Sequence, residues 1–301
     1  MANVPESSRI RLAKAIAKTG RASRREAERL IEDGLVSVNG HPVLTPAFLV
    51  DPSTDRVQVE GEALPPQPRT AWFVLYKPRG YLTTMDDPQG RRTVMELIAH
   101  LPELGLRPVG RLDFDTEGVL LFTNDGEMAN ALTHPSKGVP KRYLAKVWKR
   151  PDEKKLGRLA NGVNLDDGRT QPCKVRVVKE TDEGGNCWVE ITVTEGRNRL
   201  IRRMFEAVGH PVSKLRRESF GTVSIRGLER GQLRTLSSDE VDRLEDLAEG
   251  RKPEQAGHGT KYKKGFALPK PKANRPLSRK KAANARRLTV KPKAPSGGSK
   301  G

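Results

Sequence analysis

The stretch that decides the fold is Gly110-Arg-Leu-Asp-Phe-Asp-Thr-Glu-Gly118, which runs directly into Val119-Leu-Leu-Phe-Thr123. The first part is a polar turn rich in acidic residues, and the second is an apolar run with the length of a buried strand. Reactive groups tend to lie on turns held by rigid strands, so the pattern predicts carboxylates at the mouth of a sheet. A turn whose aspartates only bond nearby amides would give the same local pattern.

Strands and helices are predicted on both sides of this stretch. Strand patterns occupy residues 72–76, 119–123, 143–148, 173–178, 188–194 and 222–225. Helical spacing marks residues 94–100, 127–132, 152–160, 200–208 and 239–247. The last helix opens with the capping-box pattern Ser237-Ser-Asp-Glu240. Because several consecutive strands have no helix between them, the order predicts an α+β fold with a mixed, mainly antiparallel sheet.

Residues 9–61 form a separate small module in this prediction. Residues 9–18 carry apolar side chains at helical spacing, and Ser23-Arg-Arg-Glu26 has the capping-box form that opens a second helix. Residues 35–40 give a strand ending in the hairpin signal Asn-Gly, and residues 57–59 give another strand. The two helices are densely basic, with Arg9, Arg11, Lys14, Lys18, Arg21, Arg24 and Arg25. Such a face favours phosphate contact over simple solvation.

This module resembles the S4 RNA-binding domain. The resemblance rests on Arg21-Ala-Ser-Arg-Arg-Glu-Ala-Glu28 and Gly34-Leu-Val-Ser-Val-Asn-Gly40. It implies binding of RNA by shape and charge, with Arg21, Arg24 and Arg25 among the contacts. The proline-rich residues 62–70 are predicted to be a linker, and residues 71–248 a second domain.

The positive charge of the chain is concentrated near its end. The formal net charge is +19, and residues 251–301 hold 16 Lys and Arg against the single acid Glu254. Such a segment, interrupted by six prolines, cannot bury a core and is predicted to be a disordered basic tail. It could be merely solubilising, but its charge favours a polyanionic partner, because each neutralised phosphate releases a counterion.

Composition gives no sign of a membrane, metal or disulfide protein. No run approaches the about 18 apolar residues of a membrane span, and the first residues lack a secretory pattern. The only cysteines, Cys173 and Cys187, and the five histidines lack metal-ligand spacing. We therefore expect a cytoplasmic protein with reduced thiols and no metal.

Three further segments carry unusual polar residues. They are Tyr76-Lys-Pro-Arg-Gly80 at a strand end, Lys141-Arg-Tyr143 at a strand start, and Glu195-Gly-Arg-Asn-Arg-Leu-Ile-Arg-Arg-Met-Phe205, which brings four arginines to the start of a helix. Alone, the first is most simply a strand end. Arginines at a helix start oppose the helix dipole, so they should have partners, either phosphates or a buried carboxylate.

Together with Gly110-Arg-Leu-Asp113, these segments resemble the pseudouridine synthase family, in its RsuA and RluB/RluE/RluF group. The similarity runs over residues 72–234, and the S4 module with the long basic tail looks most like the RluB branch, which modifies 23S rRNA. The family's essential aspartate matches Asp113, its active-site tyrosine Tyr143, and the basic residue that pairs with the aspartate Arg202. Relatives usually carry Gln or Glu where this chain has Leu200.

The resemblance also implies RNA contacts. Arg111 corresponds to the arginine that holds the RNA open where the target base has left. Further expected contacts to substrate are Lys77, Leu112, Arg197, Arg199 and Arg203. The expected partner is ribosomal RNA, from 23S rRNA or a large-subunit precursor, with the protein acting as a monomer and without a membrane.

The implied chemistry suits these residue types. Uridine and pseudouridine are isomers, so no cofactor is expected. The target base must leave its stack to be reached. Asp113 must be ionised to act toward the ribose, and a guanidinium such as Arg202 would favour that form. Tyr143 offers a ring for stacking and a phenol for proton transfer, and Leu112 and Leu121 would supply apolar walls.

Alternatives remain at this point. Asp115 competes with Asp113, but two residues apart in an extended turn they should point to opposite sides, which makes Asp115 a turn former. Whether Asp113 attacks C1′ or removes a sugar proton is open. The chain could also be a non-catalytic S4-type protein of ribosome assembly, or a synthase acting on 16S rRNA or tRNA.

Overall fold

The computed structural model describes residues 9–180 and 185–251. The predicted tail, residues 251–301, lies outside this range except for Arg251. Within the described residues, no helix has both the length and the apolar character needed to cross a membrane.

The N-terminal module folds around its own apolar core. Its elements are β1 (Ile10–Arg11), α1 (Leu12–Lys18), α2 (Arg24–Glu32), β2 (Val36–Val38), β3 (His41–Pro42), β4 (Leu49–Val50), β5 (Val57–Val59) and β6 (Glu62–Ala63). Ser23 and Glu26 form the predicted capping box at the start of α2. The buried core includes Leu12, Ile16 and Ile31 from the helices, with Val36 and Val59 from the strands.

Two boundaries of this module differ from the sequence prediction. The first helix begins at Leu12 and not at residue 9, because Ile10 and Arg11 pair as a strand with Val50 and Leu49. Glu62 and Ala63, placed in the linker by the sequence, pair with β5 and continue the sheet of the module.

The remaining described residues build a mixed sheet with helices on it. The elements are β7 (Trp72–Lys77), β8 (Arg107–Val109), β9 (Thr116–Thr123), α3 (Gly126–Thr133), β10 (Lys141–Val147), α4 (Glu153–Asn161), β11 (Asn164–Leu165), β12 (Gly168–Arg169), β13 (Lys174–Glu180), β14 (Cys187–Val193), α5 (Leu200–Glu206), β15 (Val212–Phe220), β16 (Val223–Ser224), β17 (Leu233–Thr235) and α6 (Ser238–Glu249). Short 3-10 helices lie at Val94–Ile98, Pro102–Leu104 and Pro135–Lys137.

The main sheet has the strand order β13-β14-β10-β15-β9-β7-β17, with β8 beside β9 and β16 beside β15. Its pairings are antiparallel except for β15 with β9, which run parallel. The predicted α+β class and mainly antiparallel sheet are therefore confirmed. Three apolar clusters cover the sheet: one under α3 and α6, one with α4 and α5, and one with the Val94–Ile98 helix.

Most predicted elements are present, with shifted ends. Residues 94–100 form a shorter 3-10 helix instead of the predicted α-helix, capped by Thr93 and Glu96. The strand predicted at 119–123 begins at Thr116, so the end of the acidic turn is already sheet. The long central strand β15 was missed, because Ser213-Lys-Leu-Arg-Arg-Glu-Ser219 has one apolar residue and no apolar alternation.

One close approach at the sheet centre requires glycine. Where β9 and β15 run parallel, Gly118 lies opposite Arg217. Its φ is +121°, and a Cβ there would lie 2.2 Å from the carbonyl oxygen of Arg217. The glycine at the end of the acidic motif thus lets the two central strands pair.

Candidate active site

A cavity of about 810 Å³ opens where the acidic turn meets the sheet. Its walls come from the 82–91 loop, the Gly110–Phe114 turn, the start of β10, the loop before α5 and the middle of β15. Both polar and apolar side chains line it. The volume is in the range of small-molecule sites, and a single nucleotide unit fits that scale.

Asp113 lines this cavity on a turn whose backbone is fixed from several sides. Thr83 Oγ1 donates to the Leu112 carbonyl at 2.8 Å, and the Gly80 amide donates to the Phe114 carbonyl at 2.8 Å. The side chain of Asp113 is half-buried. Among the described residues, no ion pair to its carboxylate lies within 4.0 Å. The carboxylate is therefore held in place by its backbone and stays open toward the cavity.

Lys77 does not have the predicted role of a substrate contact. Its side chain is fully buried, and its ammonium donates to the carbonyls of Pro78, Asp113 and Thr116 at 3.0–3.1 Å. Burial lowers the pKa of Lys77 to about 8, although the charges of Asp113 and Asp115 oppose this shift. Lys77 thus stabilises the acidic turn through these carbonyls and does not line the cavity.

Tyr143 and the acidic turn border the same cavity. Tyr143 stands on β10. Its ring packs against two apolar clusters, one with α5 and one with the Val94–Ile98 helix. These contacts restrict the orientation of the ring, which still borders the cavity and can offer a stacking surface to a flat base.

Arg202 pairs with a different aspartate from the one predicted. Its Nη2 lies 2.7 Å from Asp115 Oδ2, and its Nη1 donates to the Val212 carbonyl at 3.0 Å. The Arg202 side chain is only 11 % exposed, and it does not border the cavity. The prediction that Arg202 pairs with Asp113 is therefore wrong in this structure. Asp115 is also more than a turn former, because it compensates a buried guanidinium.

The other arginines before and in α5 divide into two kinds. Arg197 pairs with Glu195 at 2.9 Å and Asp167 at 2.7 Å, and Arg203 pairs with Asp166 and Asp167. These carboxylates join the loop to the β11–β12 hairpin, so the predicted RNA contacts Arg197 and Arg203 are engaged within the protein. The helix-start arginines therefore have carboxylate partners, one of the two kinds expected.

Arg199 differs from these neighbours. Its side chain is 49 % exposed, lies 3.8 Å from Asp115 and borders the cavity. Its φ is +47°, an unusual backbone conformation that turns the chain into α5. Arg199 is the arginine of this loop best placed to meet a phosphate.

The remaining predicted contacts divide between the cavity and the core. Exposed Arg111 and buried Leu112 line the cavity, as does Leu200. Leu121 does not, because it points into the cluster under α3 and α6. The apolar wall thus comes from Leu112, with Leu200 and Leu215 from other elements.

Two buried cations of the cavity wall were not predicted as site residues, although Lys141 lies in one of the segments that the sequence marks. Lys141 donates to the carbonyls of Val139 and Thr194, and its burial, with the charge of Arg217, lowers the pKa of Lys141 to about 8. Arg217 is 2 % exposed. Alternation in β10 could have placed Lys141 on the face of Tyr143, whereas Arg217 lies on the strand that the sequence prediction missed.

In the N-terminal module, the predicted basic contacts are of two types. Arg24 and Arg25 are exposed at the start of α2. Arg21 pairs with Glu60 at 2.6 Å, and Lys14 and Lys18 of α1 pair with Glu127 of α3. The basic face is thus partly used in contacts within the protein. In the part of the chain that the structure describes, no group of His, Cys, Asp or Glu could hold a metal ion.

Fold and site together define a two-part protein, with a small basic module before a mixed sheet that borders a polar cavity, and comparisons with known proteins give its family. Residues 71–207 match the RNA pseudouridylate synthase model and residues 10–57 the S4 domain model. "Ribosomal large subunit pseudouridine synthase B" of Bacillus subtilis is 42 % identical over 79 % of this chain and 97 % of its own. The Salmonella typhi protein of the same name is 40 % identical over 79 % of this chain and 83 % of its own.

A solved structure gives the same result. The crystal structure of a pseudouridylate synthase is 30 % identical, covers 78 % of this chain and 99 % of its own, and superposes with a TM-score of 0.55. The chain belongs to the RNA pseudouridine synthase family and carries an S4 domain. The expected family is therefore confirmed.

Proposed function

We propose that this protein converts a uridine of large-subunit ribosomal RNA to pseudouridine, with Asp113 as the catalytic carboxylate. The observation that carries the proposal is that Asp113 and Tyr143, 30 residues apart in the chain, line the same cavity. The names of the relatives support the large subunit as the target. The non-catalytic alternative leaves this cavity and the family membership without a use.

Asp113 acts on the ribose, as nucleophile or base. Its turn is fixed by Lys77 and Thr83, so the carboxylate needs little rearrangement to meet C1′ or C2′. Its open side faces the cavity, where an entering nucleotide excludes water and strengthens each charge interaction.

Tyr143 stacks on the uracil, and Leu112 closes the apolar side. The base has to turn after leaving C1′, and a flat ring allows that turn while preventing escape. The Tyr143 phenol is a group that can carry a proton near C5. We assign Arg202 a positioning role, because it acts through Asp115 on the far side of the turn.

RNA is held by exposed cations around the cavity and by the S4 domain. Arg111 and Arg199 border the cavity with exposed side chains, and Arg24 and Arg25 are exposed on α2. Phosphate contacts of this kind position RNA without reading its sequence. We infer that residues 9–61 guide the RNA and residues 71–248 perform the reaction, in a cytoplasmic monomer that needs no cofactor.

Mapping pseudouridine in cells with and without the gene tests the proposal. Total RNA is labelled with a carbodiimide that stays on pseudouridine, and reverse-transcription stops are compared in 23S, 16S and transfer RNA. We expect one stop to vanish from 23S rRNA and to return with the wild-type gene but not with Asp113→Asn. Loss of a stop in 16S or transfer RNA would change the target, and an unchanged pattern would refute the proposal.

A further inference from the structure

Arg217 is a buried cation with an unused donor in the wall of the cavity. Its side chain is 2 % exposed, and its Nε donates to the Val119 carbonyl at 2.8 Å. Its Nη2 is buried without a hydrogen-bond partner. Among the residues that the structure describes, no carboxylate lies within ion-pair distance of Arg217. An arrangement this costly is expected to have a ligand or partner at some stage of function.

The positive charges around Arg217 favour the binding of an anion. The charge of Arg217 contributes to the lowered pKa of both Lys77 and Lys141, so three cationic side chains lie near one another below the cavity. Lys77 uses three hydrogen bonds on backbone carbonyls, and Lys141 uses two. Of the three side chains, those of Lys141 and Arg217 line the cavity. The planar guanidinium of Arg217 also has one nitrogen, Nη2, without a hydrogen-bond partner.

The reaction generates an anion in this cavity. When the C1′–N1 bond breaks, its electron pair stays on the uracil, whether C1′ is taken by a carboxylate oxygen or a sugar proton is removed first. The detached base therefore carries a negative charge shared by N1 and the carbonyl oxygens. After rotation, C5 bonds to C1′ as the carboxylate oxygen leaves that carbon or, on the other route, as the removed proton returns to C2′. The C5 proton then leaves and N1 takes a proton, so the product is an isomer of the substrate.

We propose that Arg217 is a further catalytic residue, whose guanidinium donates to a carbonyl oxygen of the detached uracil anion. A fixed guanidinium in a water-poor site stabilises charge that develops during the reaction without having to reorganise. The same interaction keeps the free base in the cavity while it turns. The inference rests on uridine isomerisation by this cavity and adds to it the group that receives the leaving charge.

A purely structural role is the competing explanation. The Nε bond to Val119 links β15 with β9, and the guanidinium lies 5.2 Å from the Phe220 ring. Removing either interaction would lower stability or activity for every substrate alike. A test must therefore depend on the charge of the leaving base.

The experiment compares full-length wild type, Arg217→Gln and Arg217→Lys in single-turnover reactions on RNA carrying uridine or 5-fluorouridine at the target position. Fluorine at C5 makes the departing base a weaker base, so its anion depends less on the protein. Consumption of the nucleoside is followed after nuclease digestion. Arg216→Gln is the matched control, because Arg216 directly precedes Arg217 in β15, pairs with Glu218 and does not line the cavity.

We expect Arg217→Gln to slow uridine consumption about 100-fold, the scale of losing one donor to a developing anion. The slowing should be about tenfold smaller for 5-fluorouridine, with RNA affinity changed less than about threefold. The rate of uridine consumption by Arg217→Lys should lie between those of wild type and Arg217→Gln. If Arg217→Gln does not fold, the comparison of the two substrates with Arg217→Lys alone provides the test. Equal slowing on both substrates, or no slowing, would overturn the assignment. Failure of wild type itself to convert uridine would instead refute the proposed function.

Discussion

The two sides of the cavity use their cations differently. On the side of α5, Arg197, Arg202 and Arg203 are paired with carboxylates of the protein. On the acidic turn and on β15, Arg111 and Arg217 have no carboxylate within ion-pair distance among the described residues. The paired arginines build the site, and the unpaired ones are available to RNA and to the reacting base.

This difference teaches that arginine density alone does not mark an RNA contact. The sequence pattern before α5 is the most basic of the four motifs, yet two of its four arginines tie the loop to the β11–β12 hairpin through Asp166 and Asp167. The carboxylates that neutralise them lie 30 to 37 residues earlier in the chain.

The largest effect is expected where the two sides join. Gly118→Ala places a Cβ against the backbone of Arg217 at a φ of +121° and should destabilise the fold by more than about 3 kcal/mol. Gly209→Ala, at a φ of +82° with no nearby atom, should cost about 1 kcal/mol. Urea unfolding of both variants measures the difference. Similar costs would show that β9 and β15 can separate without penalty.

Breaking the Arg202 ion pair should have the next largest effect. Asp115→Asn leaves the guanidinium of Arg202 largely buried without its charge partner and should cost about 2 kcal/mol. Glu60→Gln, which breaks the more exposed pair with Arg21, should cost less than about 1 kcal/mol. Chemical unfolding again gives both values. Equal costs would mean that burial does not distinguish the two pairs.

The basic tail, residues 251–301, carries most of the net positive charge of the chain. Ending the chain at Gly250 removes 16 Lys and Arg and should weaken RNA binding. The slope of log affinity against log salt should fall by about 0.9 for each phosphate that the shortened chain no longer neutralises. The double variant Arg24→Gln/Arg25→Gln should reduce it by no more than about 2. An unchanged slope after truncation would show that the tail does not touch phosphates.

The smallest effect concerns the buried lysine under the acidic turn. Burial lowers the pKa of Lys77 to about 8, while the unfolded chain keeps that proton to a pKa of about 10.4. The unfolded state therefore binds more protons between these values, and this lysine makes stability rise with pH there. Between pH 8 and 9.5, the free energy of unfolding of wild type should therefore rise by about 1–2 kcal/mol more than that of Lys77→Met.

Unfolding free energies at the two pH values provide the measurement for Lys77. Lys179→Met, at an exposed position of β13, is the control and should keep the wild-type pH dependence. A Lys77→Met protein with the wild-type slope would mean that the folded lysine holds its proton above pH 9.5.

Local chemistry explains how much of the fold was predictable. The capping boxes at Ser23 and Ser237 depend on residues three apart and appear where expected. Alternating apolar residues identify β14, because one face of that strand is buried. Strand β15 shows no such alternation. It is held by backbone pairing with β10 and β9, and its polar side chains bond within the protein, as Arg216 does to Glu218.

The site divides in the same way. The motif itself locates Asp113, and the fold brings Tyr143 to the same cavity from 30 residues away. The partner of Arg202 could not be predicted, because Asp113 and Asp115 are two residues apart and only their directions decide the pair. Lys77 was misjudged for a related reason: the three carbonyls around it belong to a turn whose course appears only in three dimensions.

The most direct test of the central claim compares the two aspartates of the motif in full-length protein on the same RNA. Single-turnover formation of pseudouridine is measured for Asp113→Asn and Asp115→Asn, with RNA affinity measured in parallel. We predict that Asp113→Asn binds RNA like wild type and forms no product, whereas Asp115→Asn forms product at a reduced rate. Turnover near wild type in Asp113→Asn would contradict the assignment of the catalytic carboxylate.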